Sequence, residues 1–300
     1  MIMEMPQVFQ MEITNQCNFH CTCCPQGRGD YIPNPAKLLL KTIKGWIKRG
    51  DFEGTKVISG LHVVGEPTLH PDWFKIIELF GKYGIKVKDA TNCYKFKDKL
   101  WVKELLGMKN LDTLILSVDA CYESTFAKIK GVPKGWLYKI TSGIEDYISE
   151  NEYTKIYIKA MKQDGVSEHE LHDLKNYWSL FEEKYDLVKV KIKFLDTWGG
   201  QYDWVKTRPT LKEMQGICPE PFRRVVILAN GDIVPCCYVY DSKIKYGNLY
   251  EDTMDAIWKD SNDKYELMRD MCLGKYDIKP CSNCREWMIP TAVEHFEDRW

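Results

Sequence analysis

The sequence predicts an α/β protein: a six-stranded parallel partial (β/α)6 barrel over residues 1–200, a linker at 201–217 and a small metal-binding domain over 218–300. Three observations lead there. Short β-rich runs alternate with amphipathic helical runs from residue 8 to residue 195, and consecutive β/α units argue for parallel strands covered by helices. The alternation holds six units; a closed eight-unit barrel takes roughly 250 residues, so six units need roughly 190, the size of this stretch. Beyond it, Gly199, Gly200 and Pro209 break the pattern and a cysteine-rich segment follows. Periodicity alone leaves a doubly wound sheet open.

The strand candidates, in chain order, are 8–14, 56–64, 85–90, 113–119, 155–161 and 188–195. After the second of them, Trp73, Ile76, Ile77 and Phe80 fall at helical spacing, with Pro71 at the expected first helical position and Gly81 at the end. Ile140, Ile144, Tyr147 and Ile148 repeat that spacing before the fifth strand. Ser167 and Glu170 stand at capping-box spacing, ahead of a helix whose buried face is Leu171, Leu174, Trp178 and Phe181. In the sixth strand Val188, Val190, Ile192 and Phe194 alternate with Lys189, Lys191 and Lys193, so one face is apolar and the other basic. Those lysines either guard an edge strand or line the barrel and meet an anionic group such as a phosphate or carboxylate. In the C-terminal region, 223–229, Asn230-Gly231 and 232–235 read as a β-hairpin with an Asn-Gly turn, and 253–271 reads as a helix.

Three hundred residues, 44% of them hydrophobic, support a substantial core and exclude a disordered chain. Forty-two Lys and Arg against 43 Asp and Glu leave no net field to draw nucleic acid or an anionic membrane. The N-terminus MIMEMPQVFQ lacks the basic region and apolar run of a signal peptide, and no stretch approaches the roughly 18 apolar residues of a membrane span. The expectation is a cytoplasmic protein without nucleic-acid or membrane partners. Twelve cysteines are then hard to place in disulfides, because the cytosol keeps thiols reduced. They also cluster, at 17/21/23/24 and 272/281/284, with Cys218 and Cys236-Cys237 ahead of the second group. Metal or redox chemistry is the leading account.

Cys17, Cys21 and Cys24 lie in NQCNFHCTCCPQ directly after the first strand, where a barrel puts its active-site loops. Three thiolates on one loop can hold three corners of a 4Fe-4S cluster and leave the fourth iron open. A structural zinc site, completed by His20 or Cys23, stays possible from this segment alone.

C-x3-C-x2-C after a first strand resembles the signature of the radical S-adenosylmethionine (SAM) superfamily, whose fold is a six-unit partial TIM barrel. The resemblance implies that SAM chelates the open iron and is cleaved by one electron to a 5'-deoxyadenosyl radical, which abstracts a hydrogen atom from the substrate. It also implies a small electron donor such as flavodoxin or ferredoxin. The residue before the third cysteine is usually aromatic in that family; here it is Cys23, read as a packing substitute. Gly65, Glu66 and Pro67 resemble the family's Gly-Gly-Glu-Pro motif with Val64 in the first position, Thr91-Asn92-Cys93 its Thr-Asn-Gly, and Ser117-Val118-Asp119 its Ser-Val-Asp. The resemblance thus makes Gly65, Glu66, Pro67, Asn92, Ser117 and Asp119 candidates for SAM or substrate binding. Read without it, they are strand-end turn formers.

Cys218, Cys236, Cys281 and Cys284 supply four thiolates, the number for a fully ligated cluster or an all-cysteine zinc site. The C-x12-G-x4-C element from Cys218 through Gly231 to Cys236 resembles the SPASM/twitch auxiliary-cluster domains, and a single later C-x2-C points to the one-cluster twitch version. The resemblance, which extends to 7–14 and to Trp198-Gly199-Gly200, therefore implies two 4Fe-4S clusters plus SAM, with Cys237 and Cys272 left over as possible replacements.

Twitch and SPASM enzymes include aminocyclitol dehydrogenases and peptide maturases. One auxiliary cluster, and a first strand starting near residue 8, favour oxidation of a sugar or cyclitol-like small molecule. The alternatives are epimerisation or crosslinking of a ribosomal peptide or a sugar, and a non-catalytic metal scaffold. Oxidation needs an electron acceptor; epimerisation needs a hydrogen-atom donor, for which Cys93, Cys121 and Cys237 are the candidate thiols, each equally readable as a small buried hydrophobe.

Overall fold

The computed structural model describes residues 5–204, 209–275, 278 and 280–286. Six parallel strands stand in chain order: β1 (Val8–Met11), β2 (Val57–Ile58), β3 (Lys86–Thr91), β4 (Leu111–Ser117), β5 (Lys155–Lys162) and β6 (Val188–Phe194). The sheet does not stop at β1. The strand β7 (Arg224–Ile227) pairs parallel to β1 along its whole length, and β8 (Asp232–Val234) and β9 (Gly247–Asn248) follow antiparallel. The order is β6-β5-β4-β3-β2-β1-β7-β8-β9, so the expected hairpin extends the barrel sheet instead of standing apart from it. β1 is buried along its length, and an unpaired edge there would strand its backbone donors and acceptors away from water.

Several elements depart from their expected bounds for identifiable reasons. β2 is two residues long because the chain leaves the ladder after Ile58. Its next carbonyls still serve the first strand and its extension, with Met11 N–H donating to Gly60 O (2.9 Å) and Ile13 N–H to Leu61 O (3.1 Å). Trp73–Lys82 is helical as expected, but Pro71 stands outside it, ahead of Asp72. The 253–271 helix breaks at Ser261, which is extended and whose hydroxyl accepts from Lys264 N–H at 3.3 Å, capping Asn262–Cys272 after Met254–Asp260. Half of the expected capping box forms: Ser167 accepts from Glu170 N–H (3.1 Å). The Glu170 carboxylate turns instead to Cys121 N–H (3.1 Å) and Tyr122 N–H (2.8 Å), tying the helix Glu168–Lys184 to the end of β4.

Strand register sorts the two faces of the sheet. Val87, Leu114, Leu116, Ile156, Ile158 and Val188 pack against the helices in the main core. On the inner face Ala90, Ile115 and Tyr157 make a small cluster of their own. One row nearer the strand C-termini, Ser117 pairs with Lys159 and Lys159 with Lys191. The β6 lysines therefore lie on the inner face of an edge strand. Among the described residues no helix is long and apolar enough to cross a membrane.

The seam between barrel and C-terminal region is polar and buried. Glu12, just past β1, accepts from Val64 N–H (2.9 Å), Gly65 N–H (3.3 Å) and Ala229 N–H (3.4 Å). Burial pushes its carboxyl above the ordinary range, against the pull of these three donors. Beside it Arg224 pairs with Glu220 and donates to Gln10 Oε1 at 3.2 Å. Glu12→Ala leaves three backbone N–H groups without an acceptor, at on the order of 1–3 kcal/mol for each one that stays buried. Glu12→Gln keeps one oxygen and should cost clearly less in urea unfolding. Equal losses in the two variants would show that the carboxylate does not close the seam.

Candidate active site and second cysteine site

The loop carrying Cys17, Cys21 and Cys24 has little regular structure, and its shape comes from neighbours remote in sequence. His20 N–H donates to Lys130 O (3.0 Å) and Thr22 N–H to Ile129 O (2.9 Å), at the C-terminal end of the helix Glu123–Lys130 that follows β4. The short helix Pro25–Arg28 closes against the loop so tightly that a Cβ on Gly27 would lie 2.4 Å from the Cys21 carbonyl oxygen. Asn92 Nδ2 donates to Cys17 Sγ (3.8 Å) and to Asn18 Oδ1 (3.0 Å). Burial pushes the Cys17 and Cys21 thiols up to about 12, so as free groups they hold their protons. Burial raises Cys23 to about 12 as well, and its carbonyl accepts from Trp198 Nε1–H at 2.8 Å.

The motif residues surround this loop, but several of them act on the protein itself. A Cβ on Gly65 would stand 1.9 Å from Thr14 O and 2.8 Å from Asn15 Cα, so what approaches this glycine is the root of the cysteine loop. Glu66 is buried, which raises its pKa. One carboxylate oxygen accepts from Thr68 N–H, Thr68 Oγ1–H and Thr91 Oγ1–H, and the other from Asn92 N–H (2.7 Å). Pro67 opens the turn Pro67–Leu69 beside it. Asp119, in the left-handed region at φ 64°, accepts from Met161 N–H (2.9 Å) on one oxygen and from Lys130 Nζ (2.5 Å) on the other. Lys130 also donates to Ser117 O at 2.9 Å. Burial works to lower the Lys130 pKa, but Asp119, through its charge and its hydrogen bond, together with Cys21 and Cys23 outweighs it, and the ammonium stays charged, above its ordinary value.

None of the three candidate hydrogen donors stands free. Cys93, at φ 69°, is fully buried, and its thiol donates to Thr91 O at 3.6 Å. The Cys121 thiol donates to Glu170 O (3.4 Å), on the helix side of the sheet. Cys237 packs beside Val63, Val64 and Val226.

Cys218, Cys236, Cys281 and Cys284 border one cavity, together with Tyr238 and Met271; neither Cys237 nor Cys272 reaches it, and Cys272 is exposed. The turn at Cys281–Asn283 brings its two thiols to the same side, with Cys284 N–H donating to Cys281 O (3.1 Å). Buried Glu286 fastens that turn by accepting from Thr197 N–H and Thr197 Oγ1–H, both at 2.7 Å. Trp198, whose indole reaches the first loop, sets its ring against Tyr238 at a centroid distance of 6.4 Å. Among the described residues, no three His, Cys, Asp or Glu side chains stand close enough together, as placed, to share a metal ion.

Residues 11–176, more than half of the chain, match the radical SAM superfamily. The chain belongs to that superfamily. Residues 218–285 match the SPASM iron-sulfur cluster-binding domain. Over 164 residues it is 29% identical to a GTP 3',8-cyclase of Haemophilus influenzae, covering 54% of this chain and 46% of that one, so it spans about half the length of these relatives. An S-adenosyl-L-methionine-dependent 2-deoxy-scyllo-inosamine dehydrogenase of Niallia circulans is 22% identical over 305 residues and 96% of both chains. The crystal structure of BtrN in complex with AdoMet and 2-DOIA shares the fold, with a TM-score of 0.61, 17% identity and 94% of each chain covered. The partial barrel of a radical SAM enzyme and an appended iron-sulfur domain are therefore both present, and 4Fe-4S clusters with SAM are its cofactors. The donor sets fit: three thiols on one loop, and four around one cavity.

Glu12, Lys130 and Glu286 were not singled out from the sequence. For Glu12 a signal existed, since alternation along VFQMEIT sets Gln10, Glu12 and Thr14 on one face. Lys130, in KIKG, reads as a solvated helix end. Gly65→Ala should lower iron content after reconstitution and the melting temperature together, because the new methyl cannot fit beside Thr14. Full iron retention in this variant would show that the loop root tolerates displacement.

Proposed function

We propose that Cys17, Cys21 and Cys24 hold a 4Fe-4S cluster with one iron open for SAM, that Cys218, Cys236, Cys281 and Cys284 hold a second, and that the protein oxidises a sugar- or cyclitol-like small molecule. The observation behind this is the set of four cysteines lining one cavity, linked to the first loop through Tyr238 and Trp198. Four protein ligands leave no open position, which suits an electron acceptor better than a substrate site. The end-to-end relative from Niallia circulans, itself a dehydrogenase, supports the same outcome.

When bound, the first cluster and SAM supply a 5'-deoxyadenosyl radical able to take a hydrogen atom from a substrate C–H bond. The chain's own residues shape everything around that event. Asn92 orients Cys17, and Glu66 fixes Asn92 by accepting its backbone N–H. Asp119 and Lys130 set the end of β4 against the loop, leaving Ser117 on the inner face. Lys159 and Lys191, next to Ser117 in register, give the substrate side of the barrel a basic wall suited to an oxygen-rich or anionic substrate. Oxidation asks the substrate to release one further electron and a proton, whereas epimerisation asks for a thiol donor. The internal bonds of the Cys93 and Cys121 thiols and the packing of Cys237 weigh toward oxidation. A flavodoxin- or ferredoxin-type donor would supply the priming electron.

Anaerobic reconstitution should load about eight irons per chain, two clusters of four. Replacing Cys17, Cys21 and Cys24 together by Ala should halve the iron and abolish 5'-deoxyadenosine formation. Zinc appearing in place of the second four irons would overturn the second-site assignment.

A panel of sugars and cyclitols screened for stoichiometric 5'-deoxyadenosine identifies the substrate, and the reaction is then run in deuterated water. Oxidation leaves no solvent deuterium at the reacting carbon. Incorporation that vanishes in Cys93→Ala, Cys121→Ala or Cys237→Ala would instead establish epimerisation and name the donor.

A further inference from the structure

Lys130 stands where the first cysteine loop meets the sheet. The residue is 4% exposed, with Nζ on Ser117 O and on the Asp119 carboxylate. Its own carbonyl accepts from His20 N–H, and the preceding carbonyl, of Ile129, accepts from Thr22 N–H, so the same short segment carries both the ammonium and the loop's backbone contacts. Gly131 follows at φ 61°, and a Cβ there would lie 2.5 Å from His20 O, so the loop lies flush on this segment. A tether alone does not require a charge: burying an ammonium with a carboxylate is costly, and a neutral hydrogen-bonded pair would tie the same elements together. A fixed positive charge beside a thiolate loop does require one. Asp119, from the end of β4, pairs with this ammonium, and the thiols of Cys21, Cys23 and Cys24, from the loop, and of Cys93, after β3, lie within its electrostatic reach.

We propose that Lys130 is the positioning residue of the first cysteine loop and the fixed cation that raises the reduction potential of the cluster bound there, with Asp119 limiting how much of that charge the loop feels. Reduction adds a negative charge, a nearby cation stabilises the reduced form, and net charge around a cluster is one of the determinants of its potential. The proposal rests on the reading of Cys17, Cys21 and Cys24 as ligands.

The test is an EPR-monitored redox titration of the reconstituted full chain, following the signal that changes on adding SAM, in Lys130→Met, Lys130→Arg and Asp119→Asn, with iron measured in each. Lys130→Met should move the midpoint potential of that signal to more negative values and Asp119→Asn to more positive ones. Lys130→Arg should return it to the wild-type value. A merely structural pair would shift Lys130→Met and Asp119→Asn in the same direction, or neither, and either result overturns the proposal. Should Lys130→Met fail to hold iron, Asp119→Asn and Lys130→Arg decide alone: no positive shift in the first, or a displaced potential in the second, overturns it. Failure of the underlying ligand reading looks different, since the SAM-responsive signal would then survive in the Cys17/Cys21/Cys24 triple-alanine variant.

Discussion

A loop proposed to offer three thiols to a metal cannot use those sulfurs to hold itself in place, and this constraint organises the structure. The segment between Asn15 and Pro25 has almost no ladder of its own, so its partly buried backbone groups need partners from elsewhere. They find them in the carbonyls of Ile129 and Lys130, while Gly27, Gly65 and Gly131 let the loop sit directly on backbone with no side chain between. The carboxylates of Glu66 and Asp119 then fasten the elements that supply those contacts. Polar residues at strand ends, which resemble ligand contacts when seen in sequence, do much of their work on the protein.

The second constraint is the edge of β1. Because β7 pairs with it in full register, the C-terminal cysteine site is built on the same sheet as the first loop, and its placement is inherited from strand pairing. Glu12 and Arg224 close the seam below, and Trp198 closes it above by bonding the Cys23 carbonyl. Two iron-sulfur sites proposed to exchange electrons with one substrate would need a constant separation, and a shared sheet with satisfied polar groups is a stiffer link than a linker.

The lysines of β6 show how one pattern can serve two ends. Strand order puts β6 at the edge, where Lys189, Lys191 and Lys193 discourage pairing with another chain. Register puts the same side chains on the inner face, where Lys191 continues the row of Ser117 and Lys159. The edge reading and the lining reading describe one geometry.

The sequence by itself determined the six β/α units, the parallel sheet, the family and the two cysteine groups, because these depend on local periodicity and on spacing within single loops. The Asn-Gly turn and the Ser167 cap were legible for the same reason. It did not determine what lies across from what. That β7 joins β1, that Cys236 rather than Cys237 faces the cavity, that the Glu170 carboxylate leaves its cap for Cys121, and that Lys130 is a buried cation are outcomes of contacts between residues far apart in the chain. Burial and polar satisfaction are properties of the assembled interior. A lysine near a helix end becomes a buried cation only once the loop, the strand end and Asp119 have closed around it.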